Sequence, residues 1–360
     1  MAIIDNPVTV VSGGGSVDET SALQYMLNHK TNYTGIAAGL TNLTALPTFT
    51  QPSGVQMYYA AFQNCSKLTS ISGLDTSAAR DYSYMFQGCA KLSNVTQDFT
   101  STYPSVLANY MFDGCTSLQS IPTFAWDKIR STNHMFYGCK LLQSASIGSS
   151  SSAKIYDATN MFTTCTALQS VAFSKLTFDN ATSLQNMFQG CSSLSSISFS
   201  NVTTSSGATN RSMYWMFRSC RSLGNFTKAQ LHYFTNGGVT SLSGTFYGCS
   251  TMTSIQFTSA DLEQCTSFYS CCDGCTDLTT LNGMDFSGVT ATNGLRYMVR
   301  DCTSLSNTSL NNILASLLTA TSYTGTKTLA YIGLTSAQAT TCTGLSNWSA
   351  LSAAGWTTGY

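Results

Sequence analysis

Apolar positions recur along this chain in one fixed pattern. Around the segment Met187-Phe188-Gln189-Gly190-Cys191-Ser192-Ser193-Leu194-Ser195-Ser196-Ile197, the residues Leu184, Met187, Phe188 and Cys191 follow the spacing i, i+3, i+4, i+7. That spacing predicts a short helical turn with one apolar side. Downstream, Ile197-Ser198-Phe199 points alternate side chains in and out, as do Val171-Ala172-Phe173 and Ile255-Gln256-Phe257, which predicts a short strand with one buried face. Gly88, Gly114, Gly138, Gly190, Gly248 and Gly274 each precede a Cys, where a positive φ would end the turn and redirect the chain into the strand.

The unit repeats. Its Cys recurs at Cys65, Cys89, Cys115, Cys139, Cys165, Cys191, Cys220, Cys249, Cys275 and Cys302, in steps of 24, 26, 24, 26, 26, 29, 29, 26 and 27 residues. A period in the twenties specifies a solenoid, because one such coil cannot bury its own apolar face and must stack on its neighbours. A degenerate first coil, Gly39-Leu40-Thr41-Asn42-Leu43-Thr44-Ala45-Leu46-Pro47, aligns with Gly114-Cys115-Thr116-Ser117-Leu118-Gln119-Ser120-Ile121-Pro122. The expected fold is therefore a β-rich α/β solenoid, a leucine-rich-repeat-like stack of about 11 coils with a parallel sheet, roughly 50 Å long at ~4.8 Å per coil. The Cys ladder should form part of its core.

The ends depart from the repeat. Residues 1–16 read as an attachment strand built on Val8, Val10 and Val11, followed by a Gly hinge, and residues 17–35 as an N-terminal cap with a helix over 18–27. The solenoid spans 36–305, and 306–360 reads as a helical C-terminal cap, with helices over 310–318 and 336–354. A loose strand before a hinge suits addition to another protein's sheet edge.

Composition narrows the function. Charged residues make up 9% of the chain and the formal net charge is zero, so no long-range field draws nucleic acid or anionic lipid. No stretch approaches the ~20 apolar residues of a membrane span, and the start lacks the basic region of a secretion signal. A chain that begins in a reducing compartment is expected to keep its 14 cysteines as free thiols. Ten of them occupy one apolar repeat position, where a thiol packs as a small hydrophobe.

Catalytic chemistry is hard to assemble from these residues. The three histidines, His29, His134 and His232, fall in separate coils, and no carboxylate pair suited to a glycan depolymerase is evident. Cys272-Asp273-Gly274-Cys275 has metal-ligand spacing, but Cys272 fills a Phe slot and no second ligand pair accompanies it. No enzyme activity, cofactor or metal is expected. Binding should fall where coils differ. One such place is the pair of 29-residue steps, with Asn210, Arg211, Trp215, His232, Tyr233 and Phe234. The other is the position before each Met-Phe pair, which reads Tyr84, Tyr110, His134, Asn160, Asn186, Trp215, Gly244 and Tyr297. Exposed aromatics there would suit sugar or protein contacts. The favoured reading is that they pack between adjacent coils, because long stacked columns usually serve the solenoid itself.

The run Met-Phe-x-Gly-Cys-x-x-Leu, as in Met85-Phe86-Gln87-Gly88-Cys89-Ala90-Lys91-Leu92 and Met111-Phe112-Asp113-Gly114-Cys115-Thr116-Ser117-Leu118, resembles the BspA-like leucine-rich repeat family. It is similar in particular to a Met-Phe subgroup found in bacterial surface proteins and in gut-associated tailed phages. Thr245 and Cys271 depart from the Met slot, and Val299 and Cys272 from the Phe slot. The resemblance implies adhesion without catalytic residues. Its first implied setting is a phage virion surface, as a fibre, receptor-binding or decoration protein assembled in the host cytoplasm. There the N-terminus would meet other virion proteins, and the solenoid a host-surface protein or glycan. The second is a bacterial or protist surface adhesin. Homo-oligomerisation is compatible with either, and neither involves membrane insertion.

Overall fold

In the computed structural model, which describes residues 19–178, 180–202 and 211–360, the chain is a β-rich solenoid, a leucine-rich-repeat-like stack. Helix α1 (Glu19–His29) lies at its N-terminal end and buries Leu23 and Leu27. The coils then carry short strands: β1 (Ser70–Ile71), β2 (Asn94–Val95), β3 (Val106–Leu107), β4 (Ile129–Ser131), β5 (Ser144–Lys154), β6 (Ser170–Thr177), β7 (Ser196–Ser200) and β8 (Arg211–Ser212). Helix α2 (Lys228–Thr235) interrupts the series before β9 (Val239–Ser241), β10 (Ser254–Gln256) and β11 (Thr280–Asn282). Four helices follow: α3 (Asn307–Leu317), α4 (Leu329–Ile332), α5 (Ser336–Cys342) and α6 (Trp348–Ala353). The strand proposed at Val8, Val10 and Val11 lies outside the described residues.

All pairings are parallel, but the sheet differs from the uniform one that the repeat predicts. Downstream of the cysteines it is broken into β1-β2, β5-β6-β7 and β10-β11. The longest part, β5-β6-β7, runs in register through Ser144↔Ser170↔Ser196 and Ile147↔Phe173↔Phe199. A more continuous ladder lies upstream of the Met-Phe pairs. It links Met57, Asp81, Leu107, Ser131, Asp157, Ser183, Ser212, Ser241 and Ser267 in eight successive steps. The regularly bridged stack is thus shorter than 11 coils, because the ladder runs from Met57 to Ser267 and includes no residue of the degenerate first coil or of the Cys302 coil.

The expected helical turn is also corrected. Residues 83–88 and their equivalents are runs of tight turns in which successive N–H groups alternate between two partners. The N–H groups of Met85, Gln87 and Cys89 donate within the coil, to the carbonyls of Tyr82, Tyr84 and Phe86. Those of Tyr84, Phe86 and Gly88 donate to Asn109, Met111 and Asp113 in the next coil. A helix would commit every N–H to its own coil and leave the stack without this ladder. Two residues per run adopt positive φ, for example Tyr84 (+61°) and Gly88 (+74°), and this rules out a helix. The apolar spacing is preserved because Tyr82, Met85, Phe86 and Cys89 still point inward and are fully buried.

That interior is a set of ladders. The Phe rings from Phe62 through Phe86, Phe112, Phe136, Phe162, Phe188, Phe217 and Phe246 stack at 5.3–5.7 Å between centroids. All fourteen cysteines are buried free thiols. Each repeat thiol also finds an acceptor in the preceding coil. The Sγ of Cys89, Cys115 and Cys191 donates to the carbonyls of Phe62, Phe86 and Phe162 at 3.0–3.1 Å.

Candidate functional site

The turn runs present one outward face. Its left-handed position is the variable column singled out in the sequence. Tyr84 (+61°), Tyr110 (+57°), His134 (+55°), Asn160 (+57°), Asn186 (+55°), Trp215 (+54°), Gly244 (+60°) and Tyr297 (+57°) share that conformation. Asn and Gly adopt it readily; a bulky aromatic there is strained and needs support from its surroundings.

Stacking supplies that support. Tyr84 and Tyr110 lie 4.7 Å apart and 6° from parallel, and Tyr110 and His134 lie 4.4 Å apart and 10° from parallel. Tyr59 extends the row, tilted 56° against Tyr84 at 5.3 Å. The rings therefore do pack between coils, and their edges face outward. Burial shifts the titration of this row: it raises Tyr84, lowers His134 and raises Asp113. A side-chain relay runs beside it, Gln63 Nε2 donating to Gln87 (2.6 Å) and Gln87 Nε2 to Asp113 (2.8 Å).

A groove of about 330 Å³ borders the row. Tyr59, Asp81, Ser83, Tyr84, Asn109 and Asp157 are among its lining residues. Asp81 and Asp157 first serve the backbone, accepting from the N–H groups of Ser83 (2.7 Å) and Thr159 (2.9 Å). Ser183, Ser212, Ser241 and Ser267 accept in the same way at the equivalent position. Asp81, Ser83, Asn109 and Asp157 were not singled out in the sequence. The signal lay eight and six residues before each Cys, where Asp and Asn replace Ser only in the first half of the stack.

The far half of the same face is cationic. Arg218 lies over the rings of Trp215 (4.3 Å) and Tyr247 (5.4 Å). Arg296 and Arg300 both lie over Tyr297 at 4.5 Å. Arg300 also clamps the buried Asp273 with two hydrogen bonds of 3.0 and 2.6 Å. Burial raises the Asp273 carboxyl, while its partner raises Arg300.

The residues of the 29-residue steps do not form one site. Arg211 is fully buried and donates to the Phe234 carbonyl, so it cannot present itself to a macromolecule at the surface and leaves the candidate set. An Arg opening a strand reads as exposed in sequence; here the inserted α2 covers it. His232 Nδ1 lies 2.7 Å from the buried Asp261, which also accepts from Thr235 Oγ1 at 2.6 Å. Tyr233 packs on Phe199 at 4.8 Å. Asn210 lies outside the described residues. Among the described residues, no group of three or more His, Cys, Asp or Glu is arranged to hold a metal, and no helix is long and apolar enough to cross a membrane.

A family described as "Mycoplasma protein of unknown function, DUF285" matches residues 55–170 and, in an overlapping copy, 106–221, both inside the repeat run. No curated protein matches the sequence. Among solved structures, a leucine rich cell surface protein from Faecalibacterium prausnitzii A2-165 is 16% identical, over 66% of this chain and 78% of that one, with a TM-score of 0.28. TLR13 in its complex with ssRNA13 is 13% identical, over 67% of this chain and 45% of that one, with a TM-score of 0.22. At these scores neither likeness bears on what this chain binds.

Proposed function

We propose that the chain is a non-enzymatic recognition protein that binds a host-surface protein or glycan through the outward face of its turn runs. The observation that carries this is a contrast within one chain. Phe and Cys positions are nearly uniform from coil to coil, as stacking demands, while the outward positions beside them change from Tyr, His, Asp and Asn to Trp, Tyr and Arg. Stacking needs uniformity, whereas recognition of one particular surface needs variety.

The carrier we infer is a tailed-phage virion, on the strength of the Met-Phe-x-Gly-Cys resemblance, with the N-terminal segment as its attachment point. A second carrier for the same solenoid, implied by the same resemblance, is a bacterial or protist cell surface; the matching family is described from Mycoplasma as of unknown function, which supports a bacterial setting and no location. Fluorescently labelled protein titrated onto intact cells from its source community tests the function. Saturable binding to particular strains, reduced in Tyr110→Ser and Trp215→Ser, is the expected result, and binding to none of them overturns it. Mass spectrometry of purified virions then separates the carriers, since a virion protein must be found in the particle.

A further inference from the structure

The ladder that joins the turn runs has a direction. At each step N–H groups donate toward the C-terminal end of the stack, and carbonyls accept from the N-terminal side. The first coil donates from Tyr33, Gly35, Ala37 and Gly39 to the carbonyls of Met57, Tyr59, Ala61 and Gln63. The second donates from Tyr58, Ala60, Phe62 and Asn64 to Asp81, Ser83, Met85 and Gln87. At the far end, Tyr331 and Ile332 accept from Tyr297 and Val299, so the chain closes that end itself.

The first coil has no such closure among the described residues. Its carbonyls of Asn32, Thr34, Ile36 and Ala38 stand where those of Met57, Tyr59, Ala61 and Gln63 stand one coil later, and no described group donates to them. The run is otherwise built like the interior ones. Asn32 Oδ1 accepts from the Thr34 N–H at 2.9 Å, as Asp81 Oδ1 does from the Ser83 N–H at 2.7 Å. Helix α1 covers the apolar core of this end with Leu23 and Leu27, yet Asn32 and Thr34 are exposed. A row of unpaired backbone groups is a template for pairing.

Direction limits what can pair there. Two copies meeting by these ends would set carbonyl against carbonyl, which rules out a two-fold dimer through this edge. The answering donors at the other end of a second copy, Tyr297 and Val299, are already taken within their own chain. What fits is an extended segment that brings an N–H at every second residue.

The period locates one. The first ladder step, Tyr33 to Met57, spans 24 residues from donor to acceptor. Counting 24 back from Asn32 and Thr34 reaches Val8 and Val10. Val8-Thr9-Val10-Val11 is rich in β-branched residues, and Pro7, with no N–H to give, lies just before it. The chain is also long enough. The eight residues between Val10 and Glu19 reach up to about 26 Å at ~3.3 Å each, against ~16 Å for the 11 residues of α1.

We propose that the N-terminal end of the solenoid is an acceptor edge closed by the chain's own residues 8–11, with the N–H groups of Val8 and Val10 donating to the carbonyls of Asn32 and Thr34. The segment is then the rung before the first coil, and a carrier meets a docked strand, not a loose one. This goes beyond the recognition function and stands or falls separately from it.

The test is amide hydrogen exchange on the full chain, followed residue by residue by NMR. Val8 and Val10 should exchange about a hundredfold more slowly than in a free peptide of residues 1–18, and Thr9 should not. Val10→Pro removes a donor, so Val8 should lose its protection and the carbonyl resonances of Asn32 and Thr34 should move. Thr9→Pro removes an N–H that faces away from the rung and should change neither. Unchanged circular dichroism in both variants checks that the coils are intact. Free-peptide exchange at Val8 and Val10 in the full chain overturns the proposal, as do equal effects of the two prolines. Protection that appears only as concentration rises, together with a dimer in sedimentation, would assign the strand to a second copy and overturn closure within the chain.

Discussion

Each repeat cysteine does two things at once. It fills a small apolar slot between Phe ladders, and its thiol donates to a carbonyl of the preceding coil, as Cys165 does to Phe136 and Cys220 to Phe188. Alanine would supply the volume without the donor, and serine the donor at the cost of burying a more polar group. Burial raises Cys65 and Cys165 to about 12, and raises Cys115, Cys139 and Cys191 well above the ordinary 9. The sign follows. Unfolded thiols ionise near 9 while folded ones stay protonated, so their contribution to stability is intact below that pH and is lost as pH climbs toward 12. Each such thiol adds about 1.4 kcal/mol of destabilisation per pH unit in that window. Circular dichroism should therefore show cooperative alkaline unfolding beginning above pH 9; a fold that tolerates pH 11 unchanged would contradict buried, protonated ladders. At neutral pH a thiol reagent should leave the native chain unlabelled and label it on unfolding. Cys191→Asp should cost several kcal/mol by placing a charge among Phe rings, and an unchanged melting temperature would refute the packing.

At the scale of one element, the turn run explains both what the sequence discloses and what it conceals. Spacing of i, i+3, i+4, i+7 marks which side chains are inward, and Leu184, Met187, Phe188 and Cys191 are indeed fully buried. The same spacing cannot separate a helix from a run of turns, because both put those residues on one side. The deciding signal is the left-handed residue ahead of Met-Phe, and Asn160, Asn186 and Gly244 carry it openly. Tyr84, Tyr110, His134 and Trp215 disguise it, since stacking with neighbours permits a conformation their own chemistry disfavours. Arg211 misleads for a different reason: its burial depends on α2, which the sequence signals only as a longer step. The start of α2, not singled out in the sequence, is held by a capping box in which Thr227 Oγ1 accepts from the Gln230 N–H and Gln230 Oε1 accepts from the Thr227 N–H. Gly244 offers the sharpest test of the column. A Cβ there would lie 2.1 Å from Cδ1 of the Trp215 ring. Gly244→Ala should displace the indole from beneath Arg218 and cost roughly 1–3 kcal/mol, read as a tryptophan emission shift with a lowered melting temperature. A spectrum and stability equal to the parent would mean the indole does not occupy that site.

At the scale of the molecule, a stack in which each coil touches only its neighbours owes its stability to its interfaces, and its ends to whatever closes them. The C-terminal helices do more than cover apolar surface. The N–H groups of Tyr297 and Val299 donate to the carbonyls of Tyr331 and Ile332, so α4 and its flank continue the alternating ladder of the turn runs in the place of a further coil. Gln338 Nε2 donates to the Cys302 carbonyl (2.8 Å), and Ser309 Oγ to that of Thr279 (2.9 Å). Leu310, Ile313, Leu314, Leu317, Leu329 and Ile332 are buried against the last coils, each contributing on the order of 1.5–3 kcal/mol of apolar burial. Deleting 306–360 would strip these contacts and lay bare Leu295, Met298 and Cys302 with their rung of donors. Truncation at residue 305 should therefore lower the melting temperature of the whole remaining stack and produce binding of a hydrophobic dye at room temperature. Because loss at one end passes from coil to coil, hydrogen exchange should quicken most in the Cys302 and Cys275 coils and least near Cys115. A truncated chain that melts like the parent, without dye binding or graded exchange, would show that the repeats close their own end and that the helices are an appendage.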